Sequence, residues 1–374
     1  MSITVRNGVD RLGDAEHLLR GRRLGLLSAA SGVNKAGIPT YALLQEKYRL
    51  CALFAPEHGI RSNLQDGKWG DDGADPETGL PLCSLGRKDT ERLDALLDTI
   101  DLLVYDIQDV GARFYTYLYN LTDLMQRCAA RGLPVLVLDR VDPIGGLLTE
   151  GPRLDETRFA SGIGRYDLPT RYGLTVGEFA RWVNASKGIG AELHVLEVQG
   201  WPRGAYADET DLLWVNPSPN IPSVGSAINY IGTCLFEATN LSEGRGTTRP
   251  FDLVGAPFID SAALCDELRA RRLPGVTVRR AAFTPQFNKH AGEVCEGIEL
   301  HITDRTAYRP LYTSLCILAH VCRYPEFERR DAGLCLRYGS DALCGNFDPD
   351  ALAARDEAAL AAFAREVEPF KLYA

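Results

Sequence analysis

A carboxylate, an imidazole and a guanidinium occur within five residues of one another, at Glu57, His58 and Arg61. They follow a short apolar run that is typical of a buried strand. Pro56 cannot donate a hydrogen bond to a sheet, and Gly59 tolerates backbone angles that other residues avoid, so we expect a sharp turn just past the strand. Ligands of open α/β sheets bind at this end of the strands. The pattern therefore predicts a functional site at this turn, with Glu57, a poor helix-capping residue, as its leading candidate.

A second polar group, formed by Asp106, Gln108, Asp109 and Arg113, follows another apolar run. If both runs are strands of one parallel sheet, their carboxyl ends share a rim and the two groups lie close together. Capping of the next helix is a structural alternative for an aspartate in this position. Arg113 can pair with Asp109 or bind a ligand carboxylate.

The segment 243–249 places a carboxylate and an arginine among glycines, with Gly244 and Gly246 on either side of Arg245. Glycine lets a backbone approach a ligand closely, and arginine binds carboxylates in a bidentate manner. We interpret the segment as a ligand-binding loop. The structural alternatives are a solvated turn and a salt bridge in which Arg245 braces Glu243.

The elements that must position these residues follow from hydrophobic periodicity. Residues 1–200 alternate short apolar runs with amphipathic helical patterns, as in a parallel sheet with helices on both faces. The predicted strands are Leu24-Ser28, Leu50-Ala55, Leu102-Ile107, Val135-Asp139 and Leu193-Val198, and the predicted helices lie near 39–48, 90–99, 114–131 and 175–187. This half is Rossmann-like, but it lacks the glycine fingerprint of a nucleotide-binding turn, so we expect no cofactor.

From about residue 200 the chain becomes rich in proline and glycine, as in the conformationally fixed loops of an interdomain cleft. The remainder favours a smaller α+β domain. Its predicted elements are strands at Val276-Phe283 and Gly297-Asp304, a helix near 310–323 and a last helix with Asp348 as N-cap and Pro349 in its first turn. A chain of 374 residues exceeds the roughly 250–300 at which single cores stop growing. We therefore divide it into domains 1–220 and 221–374.

The composition, with 45% hydrophobic and 24% charged residues, is that of an ordinary globular protein. The net charge of −9 argues against a nucleic-acid partner or an anionic membrane surface, because both select for basic faces. A small-molecule partner is expected instead. The first residues show no basic and apolar leader pattern and no run is long enough to span a membrane, which favours a cytoplasmic location.

Ten cysteines occur in the sequence. Cys51, Cys128, Cys234 and Cys316 lie in apolar runs, where a reduced cysteine acts as a small hydrophobic residue. We expect all ten to be free thiols. No C-x-x-C pair occurs, and the histidines other than His58 do not follow the spacing of metal ligands. We therefore expect no metal site.

Several longer motifs occur in a fixed order along the chain. They are Phe54-Ala-Pro-Glu-His-Gly-Ile-Arg61, Asp106-Ile-Gln-Asp-Val-Gly-Ala-Arg-Phe-Tyr-Thr-Tyr117, Glu150-Gly-Pro152, Pro217-Ser-Pro-Asn220, Asn240-Leu-Ser-Glu-Gly-Arg-Gly-Thr-Thr248 and Gly255-Ala-Pro257. In this combination the chain resembles the YbbC-like family of exo-β-N-acetylmuramidases of the NamZ type. The resemblance runs from about residue 20 to beyond 300.

The resemblance implies a Rossmann-like domain joined to a smaller C-terminal domain, with the active site in the cleft between them. The implied reaction releases N-acetylmuramic acid from the non-reducing end of peptidoglycan fragments, as in cell wall turnover and recycling. Glu57 matches the glutamate that the family favours as catalytic acid.

Glycoside hydrolysis usually needs an acid and a second group that acts as nucleophile or activates water. Glu57 is the acid, and the candidates for the second role are Glu243, Asp106, Glu150 and the 2-acetamido group of the substrate. The lactyl carboxylate of muramic acid needs an arginine. The candidate substrate-binding residues are His58, Arg61, Gln108, Asp109, Arg113, Glu150, Asn220 and Arg245, of which Arg245 is our first choice for this carboxylate.

Two other classes of function fit some of the same residues. One is a divalent-metal hydrolase with Glu57, His58, Asp106 and Asp109 as ligands, which EDTA would inhibit. The other is a non-catalytic muropeptide-binding module, in which Glu57 only accepts hydrogen bonds from a sugar. Retained affinity without turnover would favour that module.

Overall fold

The structure, a computed structural model, describes residues 2–64, 72–86 and 90–374. Within these ranges, seven strands form a sheet in the first half of the chain and three form a second sheet in the other half. The strands are β1 Arg23–Ser28, β2 Arg49–Ala55, β3 Gly73–Ala74, β4 Pro81–Ser84, β5 Leu102–Asp106, β6 Val135–Leu138, β7 Leu193–Leu196, β8 Leu253–Ala256, β9 Val276–Phe283 and β10 Cys295–Ile302. The predicted two-domain fold with a larger Rossmann-like part is confirmed.

The order of the strands in the larger sheet is β3, β4, β2, β1, β5, β6, β7. All pairs are parallel except β3 with β4. Ser28, the last residue of β1, pairs with Asp106, the last residue of β5, and its hydroxyl donates to the Asp106 carbonyl at 2.9 Å. The carboxyl ends of β1, β2 and β5 therefore share the predicted rim.

Helices cover both faces of this sheet and pack against the smaller one. They are α1 Glu16–Leu19, α2 Thr40–Lys47, α3 Thr90–Leu97, α4 Tyr117–Ala129, α5 Glu156–Phe159, α6 Val176–Ser186, α7 Val224–Thr233, α8 Ser261–Ala270, α9 Pro310–Val321, α10 Asp331–Tyr338 and α11 Pro349–Val367. The Asp348 side chain caps α11, as predicted, by accepting a hydrogen bond from the Asp350 amide at 3.0 Å. Six of these helices, α2, α3, α4, α6, α9 and α11, lie near positions predicted from the sequence.

Helix α4 begins at Tyr117, although a start near residue 114 was predicted. The Arg113 amide donates to the Thr170 carbonyl at 2.9 Å, and the Tyr115 amide closes a turn on Ala112. The main-chain groups before Tyr117 therefore form a β-bridge and a turn, and the helix cannot extend through them.

The second sheet has the order β8, β10, β9 and is antiparallel. Helix α8 packs against β9 and β10, and α9 packs against α7. The exact division of the chain at residues 220 and 221 stays a prediction.

The last residues of the chain return to the carboxyl edge of the larger sheet. The Tyr373 hydroxyl donates to Asp139, just past β6, at 2.6 Å, and its ring packs edge-on against Trp201 at 5.4 Å. The Arg203 amide donates to the Ala374 carbonyl at 2.9 Å. This contact fastens the end of the second domain to the first.

The expectation that all ten cysteines are free thiols is wrong for one pair. Cys335 in α10 and Cys344 form a disulfide. The structure brings them together because the chain turns back after α10, a tertiary effect that their apolar surroundings did not indicate. The four cysteines singled out in the sequence are free, and Cys128, Cys234 and Cys316 are buried.

None of the helices in the described part of the chain combines the length and the apolar character that crossing a membrane requires.

Candidate active site

The turn after β2 has the sharp geometry that its sequence predicts. His58 has a φ of 71° and Gly59 a φ of 79°, and the Gly59 amide donates to the Pro56 carbonyl at 3.1 Å. The Nδ1 atom of His58 lies 2.8 Å from the Leu64 carbonyl, which can only accept, so Nδ1 carries the proton. Glu57 is thus presented at the end of the sheet by a backbone that is fixed on both sides.

A cavity of about 250 Å³ lies next to this turn, between the two halves of the chain. Its lining consists of Glu57, His58, Phe114, Tyr115, Thr116, Tyr117 and Ile163 from the first half and Ser218, Asn220, Ile221, Tyr230, Glu237, Arg245, Phe251 and Arg337 from the second. Typical small-molecule pockets begin at about 300 Å³. The cavity is therefore suited to one small unit of a ligand.

Five rings form an aromatic wall along the cavity. The rings of Tyr115 and Tyr117 lie 4.6 Å apart, those of Phe114 and Tyr230 lie 5.2 Å apart, and Phe251 meets Tyr230 at 4.7 Å. Burial raises the pKa of the three tyrosines, so their hydroxyls stay protonated. The wall offers apolar faces to a sugar ring.

Three charged side chains form an Arg–Glu–Arg cluster at the cavity. Glu237 accepts from Arg245 at 2.6 Å through Oε1 and from Arg337 at 2.7 Å through Oε2. Burial disfavours the ionised carboxyl group, but the charges of the two arginines outweigh it and lower the pKa of Glu237. The Arg245 guanidinium also lies over the Phe251 ring, 5.2 Å from its centroid. The Arg–Glu–Arg cluster therefore contacts the aromatic wall through Arg245.

Of the residues proposed from the sequence, the structure brings Glu57, His58, Asn220 and Arg245 to this cavity. Asp106 lies elsewhere, fully buried at the end of β5. Arg140 binds it through two nitrogens, at 2.5 and 2.8 Å, and the Thr40 hydroxyl donates to it. These bonds correct the proposed catalytic role of Asp106, because its carboxylate is enclosed by protein partners.

Arg113 neither pairs with Asp109 nor lines the cavity. It is fully buried, and its guanidinium donates to the carbonyls of Pro152 and Leu168 in the first domain and of Arg337 and Tyr338 in the second, at 2.6 to 2.9 Å. Burial lowers the pKa of Arg113 to about 10. Arg113 therefore links the two domains through hydrogen bonds and does not bind a ligand carboxylate.

Asp109 and Gln108 also have internal partners. Asp109 accepts hydrogen bonds from the Tyr172 hydroxyl and from the Gly111 amide, the latter at 2.7 Å. Burial raises the pKa of Asp109 to about 6. The Gln108 amide group donates to the carbonyls of Asp109 and Val141 at 2.9 and 3.0 Å. Both side chains stabilise the loop between β5 and α4.

The side chain of Glu150 lies beside the first turn of helix α9. Its carboxylate accepts from the Tyr312 amide at 3.0 Å, and burial raises its pKa to about 7. This is a capping contact between the domains. Glu150 lines a different groove, next to α11.

Arg61 and Glu243 are both bound by neighbouring charges. Arg61 pairs with Asp75 at 2.6 Å and with Glu77 at 3.0 Å. Glu243 is 1% exposed and pairs with Lys289 at 2.8 Å. Neither residue is among those that line the cavity.

The glycines beside Arg245 serve the backbone. Gly244 has a φ of 79° and Gly246 a φ of 83°. A Cβ atom on Gly244 would lie 2.6 Å from the Arg249 carbonyl oxygen, and one on Gly246 would lie 2.4 Å from the Phe287 carbonyl oxygen. The space that a side chain would need at either glycine is therefore occupied by protein atoms. This corrects the prediction that the two glycines leave room for a ligand.

Glu237 and Arg337 line the cavity but were not among the candidates from the sequence. A usable signal existed, because each is a lone charge inside an apolar run, Cys234-Leu-Phe-Glu237-Ala and Leu334-Cys-Leu-Arg337-Tyr. Charged residues in such runs are buried only when they are paired. The pairing partner itself is not visible in the sequence.

Within the described ranges, no group of three or more histidine, cysteine, aspartate or glutamate side chains is placed to hold a metal ion. Asp106 and Asp109, two of the four ligands of the metal-hydrolase hypothesis, are bound as described above. No observation in this part of the chain favours that hypothesis.

Two solved structures share the architecture. Both are DUF1343 family proteins from Bacteroides fragilis NCTC 9343. One is 29% identical, with a TM-score of 0.92 over 100% of both chains, and the other is 27% identical, with a TM-score of 0.81 over 99% of both chains. The chain thus has the two-domain α/β fold of these two proteins.

The sequence comparisons are more specific. Models of the N-terminal and C-terminal domains of the exo-β-N-acetylmuramidase NamZ match residues 24–225 and 228–373. A Bacillus subtilis (strain 168) protein named peptidoglycan beta-N-acetylmuramidase NamZ is 42% identical over 347 residues, which are 91% of this chain and 82% of that protein. The chain belongs to the NamZ family of exo-β-N-acetylmuramidases, and the prediction of a glycoside hydrolase is confirmed.

Proposed function

We propose that the protein is an exo-acting β-N-acetylmuramidase that removes N-acetylmuramic acid from the non-reducing end of peptidoglycan fragments. The observation that carries this proposal is the position of Glu57, at the carboxyl end of the sheet and beside a cavity of about 250 Å³ with an aromatic wall. A cavity of this size suits a single terminal sugar. The Bacillus subtilis relative named for the same activity supports the substrate class.

Glu57 is the general acid in this proposal. It donates a proton to the glycosidic oxygen as the bond to the anomeric carbon breaks, so that the leaving sugar departs as a neutral alcohol. The fixed turn at His58 and Gly59 supports this role, because an acid must be held in place to protonate one particular oxygen.

The second catalytic role falls to the substrate. Among the described residues that line the cavity, the carboxylates are Glu57 and Glu237, and both oxygens of Glu237 already bind arginines. The carbonyl oxygen of the 2-acetamido group then attacks the anomeric carbon and forms a cyclic oxazolinium. Water opens this ring in a second step and returns a proton to Glu57, which balances the reaction.

Arg245 binds the lactyl carboxylate, the group that distinguishes muramic acid from glucosamine. Its place in the cavity lining supports this role. Arg61 and Arg113, the alternatives, lie outside the lining and are bound elsewhere. His58 and Asn220 line the same cavity and contact the sugar.

The test is incubation with a chromogenic N-acetylmuramide beside the matching N-acetylglucosaminide. Cleavage of the muramide alone is the expected result. Equal cleavage of both would contradict the substrate, and binding of the muramide without cleavage would favour the non-catalytic binding module. Roles in wall turnover and recycling and a cytoplasmic location stay predictions.

A further inference from the structure

The disulfide between Cys335 and Cys344 closes a segment that contributes to the cavity wall. The segment begins in the last turn of α10 and contains Arg337, which lines the cavity. The Arg337 guanidinium, two residues after Cys335, donates to Glu237 at 2.7 Å. The covalent link therefore lies within one helical turn of a side chain of the proposed sugar site.

The same segment also connects the two domains. The carbonyl oxygens of Arg337 and Tyr338 accept hydrogen bonds from the Arg113 guanidinium at 2.9 and 2.8 Å. The Gly339 carbonyl accepts from the Asp155 amide of the first domain at 3.0 Å. A change in the backbone of this segment would therefore act on the cavity wall and on the domain contact together.

The two cysteines differ in accessibility. Cys335 is 3% exposed, whereas Cys344 is an exposed residue that follows the 3₁₀-helix Asp341–Leu343. Thiol–disulfide exchange begins when a thiolate attacks a sulfur that it can reach. Cys344 therefore supplies the sulfur that is attacked, and Cys335 is the leaving group.

We infer that this disulfide is a thiol-responsive switch, which a dithiol reductant opens and which thereby weakens binding of the muramyl sugar in the cavity. A thiolate of the dithiol bonds to the Cys344 sulfur, the bond to Cys335 breaks, and Cys335 leaves as a thiolate that takes up a proton. The second thiolate of the reductant then attacks the sulfur of the first and releases Cys344, which is also protonated. Two electrons and two protons pass to the protein, and the dithiol becomes a cyclic disulfide. The inference goes beyond the proposed function and rests on it only for the identity of the sugar.

Helix α10 depends on this link because it is short. It has eight residues, and isolated helices below about 12–15 residues are marginal in water. A cross-link restricts the chain between its ends, and this restriction is lost on reduction. Leu343 is buried, but the other residues from 340 to 344 are partly or fully exposed, and the pair of Arg158 with Asp341 is exposed as well. Exposed ion pairs contribute little, so we expect the last turn of α10 to open more often after reduction.

The test compares protein oxidised with oxidised glutathione and protein reduced with dithiothreitol, with the redox state checked by alkylation and mass spectrometry. The measurements are amide hydrogen exchange in residues 335–344 and steady-state kinetics on a chromogenic N-acetylmuramide. Reduction should speed the exchange by at least about tenfold. It should raise KM by about 3- to 10-fold and leave kcat nearly unchanged, because the contacts of Arg337 are lost and Glu57 keeps its place.

Cys344→Ser removes the disulfide at the exposed residue and therefore disturbs the core least. The variant should match the reduced wild type in both measurements and should not respond to dithiothreitol. Cys322→Ser is the matched control, because Cys322 is an exposed free cysteine of the same domain. It should behave like the wild type in both redox states.

Three results would overturn the switch: free thiols at Cys335 and Cys344 after treatment with oxidised glutathione, equal exchange in 335–344 in the two redox states, or a KM that reduction does not change. Failure of the proposed function has a different signature. The oxidised wild type would then cleave no muramide, and the exchange measurement would still decide for or against the switch.

Discussion

The hydroxyl of Tyr117 donates a hydrogen bond to the main-chain carbonyl of Glu57 at 3.1 Å. Tyr117 is the first residue of α4, and Glu57 lies in the turn after β2. The bond joins the segments that follow β2 and β5, the two strands on either side of β1, and the ring contact with Tyr115 holds the phenol in place. The orientation of the proposed acid therefore depends on a residue that carries no charge.

Tyr117→Phe should lower kcat by about 3- to 10-fold and stability by about 0.5–1.5 kcal/mol, because one hydrogen bond to the Glu57 turn is lost. Steady-state kinetics and thermal unfolding would measure the two effects. Tyr308→Phe is the control, since Tyr308 is equally buried and donates to Asn229 at 2.9 Å away from the cavity. Equal kcat values for the two variants would contradict the positioning role.

Glu57→Gln should leave the fold intact and lower kcat/KM by at least about 100-fold, because an amide cannot donate a proton as an acid does. The measurement is turnover of a chromogenic N-acetylmuramide, with circular dichroism as the check on folding. Glu77→Gln is the control. Near-wild-type turnover by folded Glu57→Gln would remove Glu57 from the mechanism.

Local signals predicted much of the fold. The strand ends at Ser28 and Ala55 follow from apolar runs, the end of β5 at Asp106 lies one residue before the predicted end at Ile107, and the start of α11 follows from Asp348 and Pro349. Burial on both faces of a parallel sheet makes such runs nearly continuous, so the sequence shows them directly. The turn at Glu57 was also predictable, because Pro56 cannot continue a sheet ladder and Gly59 readily adopts a positive φ.

The partners of the polar residues could not be predicted in this way. Arg113 was predicted to pair with Asp109, four residues away, or to bind a ligand carboxylate, but its guanidinium binds the carbonyl of Tyr338, 225 residues along the chain. Glu237 and Arg337 meet only after α10 packs beside the 3₁₀-helix Cys234–Ala238. Such contacts depend on tertiary packing, and the spacing of residues along the sequence does not reveal them.

Arg113→Met should destabilise the protein by about 3–5 kcal/mol, because four main-chain carbonyls, three of them in buried hydrogen bonds, lose their donor. It should also weaken N-acetylmuramic acid binding, because Arg337, which lines the cavity, loses the hydrogen bond to its main-chain carbonyl. Denaturant unfolding and calorimetry would measure these effects. Arg158→Met is the control: Arg158 forms an exposed pair with Asp341, and its loss should cost less than about 1 kcal/mol. Similar losses of stability for both variants would contradict the role of Arg113 in linking the two domains.

Asp142 is a buried carboxyl group outside the cavity. It is 2% exposed, and its Oδ1 accepts from the Ile144 amide at 3.2 Å. Burial raises its pKa from an ordinary 3.8 to about 8, and Arg171 only partly offsets this effect. The folded protein therefore holds a proton that the unfolded chain releases. Stability should fall as the pH rises from about 4 to about 8, because the folded state binds more protons throughout this window.

Asp142→Asn removes this dependence, because an amide has no proton to lose and keeps the shape of the neutral acid. We expect the variant to be more stable than the wild type, and its advantage to be about 1–3 kcal/mol larger at pH 8 than at pH 5. Thermal unfolding at the two pH values gives the comparison. Asp304→Asn is the control, since hydrogen bonds to Thr306 lower the pKa of the exposed Asp304 and its contribution is constant between pH 5 and 8. If the Asp142→Asn difference from wild type were the same at both pH values, Asp142 would be ionised in the folded protein, with Arg171 as its counter-ion.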